Sequence, residues 1–405
     1  MSQDIPPDDG PVHDDPVHNA VSRSQPISAG IVTALVGFTS SFAVVLAGLR
    51  SVGASPAQAA SGLFAMTMVM ALGAMFLAWR YRIPITLAWS TPGAALLAGT
   101  GMVVGGWPAA IGAFLVTGIA IVATGVSARL GALIASIPTS LAQAMLAGVI
   151  LPLCVGPVTA FADNPLAVAP VVATWLVMMR LSPRWSVPAA FAAAAVVIGI
   201  SVIAGNSALD TSTLAPGIDL TAPSWTWQAM IGIALPLYVV TMASQNIPGS
   251  AVMASFGYSV PWRSSMAVTG LGTTLTAPAG VHAVNLAAIS AALAASPDAH
   301  PDPERRWTAA FSAGVAYLVL GLGSAALVTL VAAAPAGIIE TVAGLALLGV
   351  LASSLAACLR DERGREAAAV TFVIAASGVT VAGVGSAFWA LVMGLVVRAA
   401  LLSRP

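Results

Sequence analysis

Apolar runs of about twenty residues, separated by short polar segments, follow one another along almost the whole chain, a pattern typical of a polytopic membrane protein. A helix that crosses the hydrocarbon core needs such a run, because no water satisfies free backbone groups there. We predict continuous spans at 27–49, 56–79, 107–127, 133–156, 165–181, 186–204, 226–246, 260–273, 307–333, 338–359, 367–383 and 385–402.

Two further apolar stretches, 83–98 and 274–294, contain Pro and Gly near their starts, which predicts discontinuous segments made of a short strand and a half-helix. The extended parts are rich in β-branched and apolar residues, so we predict that they pair and satisfy their backbone at mid-membrane. The extended parts are predicted at 85–88 and 274–277, and the half-helices are predicted to begin near Thr91–Gly93 and Gly280–His282.

Each half of the chain contains seven of these segments, and the broken one holds the same place in both halves. Because seven is odd, the second half must sit upside down relative to the first. The predicted fold class is therefore an all-α polytopic membrane protein with 14 transmembrane segments in two inverted repeats of 7, whose discontinuous segments cross at mid-membrane. In secondary transporters with inverted repeats, interrupted segments mark the binding site.

The composition supports this class, since 58% of the 405 residues are hydrophobic and only 7% are charged. This balance excludes a water-soluble fold. With the N-terminus inside, every Arg except Arg50 falls on the cytoplasmic side, which predicts that both termini are cytoplasmic. The net charge is zero, so no nucleic-acid partner is expected, and the lipid bilayer is the surrounding medium. Two Cys and four His favour neither a disulfide framework nor a metal site, and no cofactor is predicted.

Residues 1–25 differ from the rest, because they contain five Asp and four Pro and no apolar run. This composition predicts a disordered cytoplasmic tail. The near-copies Asp8–His13 and Asp14–His18 allow a weak divalent-metal site, but a solvated linker is the favoured interpretation.

Half-helices that begin at mid-membrane leave backbone N–H groups unpaired and carry partial positive charge, so two facing ends attract an anion. His282 is the one titratable residue that we place at this depth, which indicates a role in binding or in proton coupling. Asn285 is predicted to lie one helical turn further on the same face. The alternative for both side chains is ordinary hydrogen bonding within the helix bundle.

Gln245 and Asn246 precede Pro248 and Gly249, and such amides are costly in lipid unless they face a polar cavity. We therefore predict that they line the site, the alternative being a position at the inner membrane boundary. Tyr238, Met242 and Phe42 are candidate apolar walls for a ring, although such residues in spans are more often packing.

Three segments, Ala243–Gly249, Val281–Ile289 and His300–Trp307, resemble the signature segments of the benzoate:proton symporter family, and the likeness covers the chain after the tail. The resemblance implies proton-coupled import of benzoate or a related small aromatic carboxylate by alternating access, across a bacterial inner (cytoplasmic) membrane. The predicted substrate-binding residues are Ser40, Ser41, Phe42, Trp89, Ser90, Thr91, Gly93, Tyr238, Met242, Gln245, Asn246, Gly280, Val281, His282 and Asn285, with His282 also assigned to proton coupling.

The organisation is more distantly similar to nucleobase–cation symporters and to sulfate and bicarbonate transporters, which share a seven-plus-seven inverted fold. This similarity implies a core domain that moves against a gate domain, often within a homodimer. The core comprises 26–130 and 225–334, and the gate comprises 131–224 and 335–405. Nucleobase symporters place carboxylates where this chain has Gln245 and His282, so an anion is the better substrate here.

Two alternatives remain from sequence, a symporter of the same fold for a nucleobase or another small anion, and an uncoupled anion channel. An enzyme is not predicted, because the chain has no His-Glu-x-x-His pattern, no Gly-rich phosphate loop and no intramembrane carboxylate pair. The polar loop 296–306 is predicted either to close an inner gate through ion pairs or to be a solvated turn.

Overall fold

The computed structural model describes residues 16–205 and 214–402. The first half contains α1 (Pro16–Thr39), α2 (Phe42–Ser51), α3 (Pro56–Tyr81), β1 (Leu87–Trp89), α4 (Thr91–Thr100), α5 (Gly106–Val126), α6 (Ala128–Ala135), α7 (Thr139–Asp163), α8 (Pro165–Leu181) and α9 (Ser186–Ile203). Of the predicted tail, residues 1–15 lie outside the described residues, and the remainder belongs to α1.

The second half begins with α10 (Trp227–Ser255), which contains two π-helical turns, Met230–Ala234 and Met242–Asn246. It continues with α11 (Trp262–Thr276), β2 (Val284–Leu286), α12 (Ile289–Ala295), α13 (Trp307–Leu322), α14 (Ser324–Ala332), α15 (Ile338–Cys358), α16 (Arg365–Ala376) and α17 (Ser386–Leu402). Helix α3 packs against α13, α5 against α11, and α7 against α15.

Seven helical segments of the described chain are long and apolar enough to cross a membrane, and α13 with α14, bent by 47° at their junction, make an eighth. Helices α8 and α17 are apolar but shorter. A mostly helical, multi-pass membrane fold is therefore confirmed. The count of fourteen segments and their inverted relation remain predictions.

The first broken segment agrees closely with its prediction. Strand β1 is followed at once by α4, which begins at Thr91 with Pro92 in its first turn. Pro suits this position because its fixed φ matches the helix and its missing N–H would be unpaired there anyway. The Ser90 side chain caps the helix by accepting a hydrogen bond from Gly93 N at 3.1 Å.

The second broken segment differs from its prediction. Residues 274–277 were expected to be extended, but α11 continues to Thr276 and a 3₁₀ turn covers Ala277–Ala279. The hydroxyls of Thr273, Thr274 and Thr276 donate to carbonyls four residues earlier, at 2.6–2.8 Å, so these polar groups are satisfied within the helix. The strand is β2, at Val284–Leu286, and the half-helix α12 begins at Ile289 instead of near Gly280.

Strands β1 and β2 pair antiparallel, with Leu87 opposite Leu286, Ala88 opposite Asn285 and Trp89 opposite Val284. The pair is buried between helices, so the ladder supplies hydrogen bonds that lipid does not. Pairing of the two broken segments was predicted from the sequence, and the structure confirms it with a later second strand.

Gly280 reverses the chain before β2, in a left-handed conformation with φ 101°. A Cβ at this position would lie 2.9 Å from Cα of Gly62 on α3, so the reversal and α3 are in backbone contact. This predicted substrate-binding residue therefore has a structural role, since only Gly satisfies both the dihedral angle and the contact.

We expect Gly280→Ala to destabilise the protein by about 2–4 kcal/mol, because left-handed strain and overlap with α3 add together. Gly257→Ala is the matched control, since Gly257 also has a positive φ, of 84°, but a Cβ added there would meet no atom within 4 Å. Thermal unfolding of the purified variants in detergent measures the difference. Equal losses of stability in the two variants would show that the contact with α3 is unimportant.

Candidate functional site

A small cavity of about 90 Å³ lies where the two broken segments meet the break between α1 and α2. It is lined by Val36, Gly37, Ser40, Ser41, Ala88, Trp89, Thr91, Pro92, Gln245, Ala287, Ala288, Ser290, Ala346 and Val350. The volume is well below the 300–1,000 Å³ of pockets that hold drug-sized ligands, so the cavity suits only a small molecule.

Hydroxyl groups from two helix junctions gather at this cavity. The α1–α2 break at Ser40 and Ser41 is stabilised locally, since Ser40 Oγ donates to Gly37 O at 3.2 Å. Thr91 Oγ1 donates to Ser41 Oγ at 2.7 Å and so ties the first turn of α4 to the start of α2. The cavity therefore has a polar side built from hydroxyls of three residues.

Gln245 extends this polar side from the second π-helical turn of α10. Its side chain is half-buried and lines the cavity, and no residue of the described chain forms a hydrogen bond with its amide. The neighbouring Asn246 is fully buried and occupied, since its Oδ1 accepts from Leu286 N at 2.8 Å and its Nδ2 donates to Met242 Sδ at 3.2 Å. Asn246 thus holds strand β2, whereas Gln245 is available to a ligand.

Ser90 joins both broken segments to α10. Its N–H donates to Ala283 O at 3.0 Å, and its hydroxyl lies 2.8 Å from the hydroxyl of Thr241. Its carbonyl accepts from His282 Nε2 at 3.0 Å. Ser90 is fully buried and is absent from the cavity lining, so it positions the site instead of touching a ligand there.

His282 and Asn285 lie on extended chain and on β2, so the predicted placement on one helical face is wrong. Because a carbonyl only accepts, Nε2 of His282 carries the hydrogen that binds Ser90 O, and Nδ1 is the unprotonated nitrogen. That Nδ1 is buried and has no partner within the described residues. The ring packs edge-on against Phe114 on α5, with 6.2 Å between the ring centroids, and does not line the cavity.

The Asn285 amide completes the junction between the strands. Its oxygen, assigned from the hydrogen-bond pattern, accepts from Ser90 N at 3.0 Å, and its nitrogen donates to Leu286 O at 2.8 Å. Asn285 therefore stabilises the strand pair.

The structure brings five of the predicted residues into the cavity lining, namely Ser40, Ser41, Trp89, Thr91 and Gln245. The other predicted residues do not line the cavity: Phe42, Ser90, Gly93, Tyr238, Met242, Asn246, Gly280, Val281, His282 and Asn285. Phe42 stacks on Phe38, with centroids 5.5 Å apart, and the Tyr238 hydroxyl is engaged by the hydroxyl of Thr124.

Several lining residues were not predicted from the sequence. Ser290 could have been predicted, since it is the only polar residue between Leu286 and Ala295, but the second break was placed too early in the chain. Ala346 and Val350 of α15 carry no signal, because small and β-branched apolar residues occur throughout the spans. None of the lining side chains is ionisable, and the described residues contain no group of three or more metal-ligating side chains.

A multi-pass membrane fold with a cavity between two broken segments is typical of secondary transporters. The sequence profile of the benzoate membrane transport protein family matches residues 20–400. The chain therefore belongs to that family, as the signature segments indicated.

Two relatives cover nearly the whole chain. It is 39% identical to the inner membrane protein YdcO of Escherichia coli (strain K12) over 369 residues, 90% of this chain and 93% of that protein. It is 28% identical to a benzoate membrane transport protein of Acinetobacter baylyi over 375 residues, 91% of this chain and 92% of that protein.

Solved structures share the fold at low sequence identity. The transmembrane domain of the cyanobacterial bicarbonate transporter BicA matches with a TM-score of 0.57 and 14% identity, over 94% of this chain and 97% of that one. The structure of SLC26A9 matches with a TM-score of 0.67 and 12% identity, over 95% of this chain and 66% of that one.

The loop after α12 is organised by one buried guanidinium. Arg306 donates to the carbonyls of His300 at 2.7 Å, Ala295 at 2.9 Å and Pro301 at 3.2 Å, and Ala295 is the last residue of α12. Burial raises the pKa of Tyr258, whose hydroxyl donates to Pro303 O at 2.8 Å. The loop is therefore not a plain solvated turn, since Arg306 caps the half-helix that lines the cavity. It also contains an ion pair between Arg305 and Asp302, and closure of an inner gate stays a prediction.

We expect Arg306→Gln to lower the free energy of unfolding by about 2–4 kcal/mol, because buried carbonyls lose charge-assisted donors. Arg305→Gln is the matched control, since the exposed Arg305 pairs with Asp302 at 3.4 Å and exposed pairs contribute about 0–1 kcal/mol. The midpoint of thermal unfolding in detergent measures both effects. A loss in the control as large as in Arg306→Gln would refute the capping role.

Proposed function

We propose that the protein is a proton-coupled secondary transporter that imports benzoate or a related small aromatic carboxylate by alternating access across a bacterial inner membrane. Membership of the benzoate membrane transport protein family supports the substrate class. The observation that carries the proposal is the small cavity, whose hydroxyls and unpaired Gln245 amide lie opposite apolar walls.

The carboxylate occupies the polar side of the cavity. Thr91 and Pro92 begin α4 there, and the ten-residue helix places partial positive charge at this end. Pro92 has no N–H and Gly93 N is already capped by Ser90, so side chains supply the donors. The donors are the hydroxyl of Ser41, which accepts from Thr91 and keeps its own hydrogen, and the Gln245 amide.

The ring packs against the apolar side, formed by Val36, Trp89, Ala346 and Val350. Trp89 is 2% exposed and lies 5.2 Å from the Phe38 ring, so its position is fixed by packing. Because no lining side chain is a carboxylate, a bound anion meets no like charge.

Alternating access follows from the two domains predicted from sequence. Ala346 and Val350 belong to the gate, and the other lining residues belong to the core, so the cavity lies at their interface. The antiparallel pairing of β1 with β2 supports two inverted repeats of seven segments. In this proposal the core carries the substrate past α15, with both termini cytoplasmic and a homodimer as the assembly.

His282 is the proposed proton carrier. The proton enters at Nδ1, which is buried without a partner, while Nε2 keeps its bond to Ser90 O next to the start of α4. Moving one proton with one anion makes the step neutral, which offsets about 2.3 kcal/mol per charge at 100 mV. The His282 ring is coupled to the site through its hydrogen bond to Ser90 O and does not contact the substrate.

The alternatives are a symporter of a nucleobase or another small anion, and an uncoupled anion channel. A competition panel of nucleobases, bicarbonate and aliphatic acids against labelled benzoate separates the substrates. Half-inhibition by a nucleobase or by bicarbonate at lower concentration than by unlabelled benzoate would overturn the aromatic assignment.

We expect Gln245→Leu to raise KM for benzoate about tenfold or more, because a hydrogen bond to a charged group contributes about 1.5–3 kcal/mol. Gln228→Leu, at the start of the same helix and outside the cavity, is the control and should keep KM unchanged. Initial uptake rates in proteoliposomes measure KM. An unchanged KM in Gln245→Leu would remove Gln245 from the site.

In proteoliposomes with an imposed inward proton gradient, the protein should accumulate labelled benzoate above equilibrium. His282→Gln should abolish this accumulation yet retain benzoate counterflow, because Gln still donates to Ser90 O but does not titrate. Proton-driven accumulation that persists in His282→Gln would contradict the coupling role. Flux that never exceeds equilibrium in the unmodified protein would favour a channel.

A further inference from the structure

A second cavity, of about 500 Å³, lies beside the short helix α6 and is larger than the proposed substrate cavity. Its wall is formed by α6, by the last residues of α5, by the first residues of α11 and by Met242 and Ile247 of α10. We refer to it as the α6 cavity. No residue is shared between the two cavities, so the α6 cavity is a separate site.

The α6 cavity extends from the start of α11 to the middle of α10. Trp262 and Arg263 form one end, at the first two residues of α11, where the sequence predicts that a membrane span begins. Met242 marks its inner end, since it is fully buried near the middle of the 29-residue helix α10. Such a cavity fits a molecule with a polar head and an apolar chain.

Arg263 is the only ionisable residue in the lining. Within residues 16–205 and 214–402, no hydrogen bond or ion pair engages its guanidinium. A guanidinium offers a rigid fork of N–H donors that matches the oxygens of a phosphate. The positive charge of Arg263 at one end of the cavity therefore favours a ligand with an anionic head group.

The remaining wall suits an acyl chain. Ala128, Gly131 and Ala135 present little side-chain volume to the cavity, and Ile134 and Met242 are apolar. Val126, which lines the cavity, and Leu133 on α6 are 64% and 62% exposed, so the apolar wall continues onto the exposed surface of the helix bundle. This continuity gives a bilayer lipid direct entry.

We propose that the α6 cavity binds an anionic phospholipid, with its phosphate on Arg263 and one acyl chain extending towards Met242. Basic pockets between transmembrane helices are a recognised form of anionic-lipid site. Helix α6 links α5 of the proposed core to α7 of the proposed gate, so a lipid bound beside α6 contacts the connection between the two domains. The binding claim itself does not depend on which substrate is carried.

Native mass spectrometry of the full-length protein, with phosphatidylglycerol or phosphatidylcholine of identical acyl chains, tests the proposal. We expect about fivefold tighter retention of phosphatidylglycerol, the effect of one Arg beside an anionic head group. Arg263→Gln should remove this preference, and Arg184→Gln, which changes an exposed Arg before α9 and outside the cavity, should preserve it.

Gly131→Leu provides a second, independent variant. The nearest atoms to a Cβ at Gly131 belong to Thr124, at 3.9 and 4.0 Å, so a larger side chain extends into the α6 cavity without a clash at its base. This variant should lose retention of both lipids. The proposal is overturned if Arg263→Gln keeps the preference, if Gly131→Leu keeps full retention, or if benzoate displaces the bound lipid stoichiometrically.

Discussion

The antiparallel pairing of Leu87–Trp89 with Val284–Leu286 is the interaction on which the rest of the structure depends. Two helices are interrupted inside an apolar bundle, and unpaired backbone groups there cost several kcal/mol each. The strand pair supplies partners for these groups, and Asn246 adds one more by accepting from Leu286 N at 2.8 Å. The breaks are therefore tolerated, and each leaves a half-helix beginning beside the same cavity.

The residues that stabilise the strand pair differ from the residues that line the cavity. Ser90, Asn246, His282 and Asn285 each form at least one hydrogen bond within the strand pair and the residues that flank it, whereas Nδ1 of His282 has no partner in the described residues. Gln245, adjacent to Asn246, lines the cavity without a partner in the described chain. Both amides lie in the π-helical turn Met242–Asn246 of α10, and π-helical turns are frequent at functional sites.

The long apolar helices and the first break could be predicted from sequence because their signals are local. Pro92 follows the capping Ser90, and the apolar runs end at Pro, Gly and Arg. The second break was misplaced because its Thr-rich segment stays helical through hydroxyl bonds to its own backbone, which composition does not reveal. Ala346 and Val350 were not predictable, since only tertiary packing brings α15 to the cavity.

A structure of the protein with bound benzoate tests the central claim most directly. The proposed binding mode predicts ligand density in the cavity between the half-helices, with a carboxylate oxygen within hydrogen-bond distance of the Gln245 amide and of the Ser41 hydroxyl, and with the ring against Val350. Density for benzoate at the α6 cavity alone, or a carboxylate facing Val350, would contradict it.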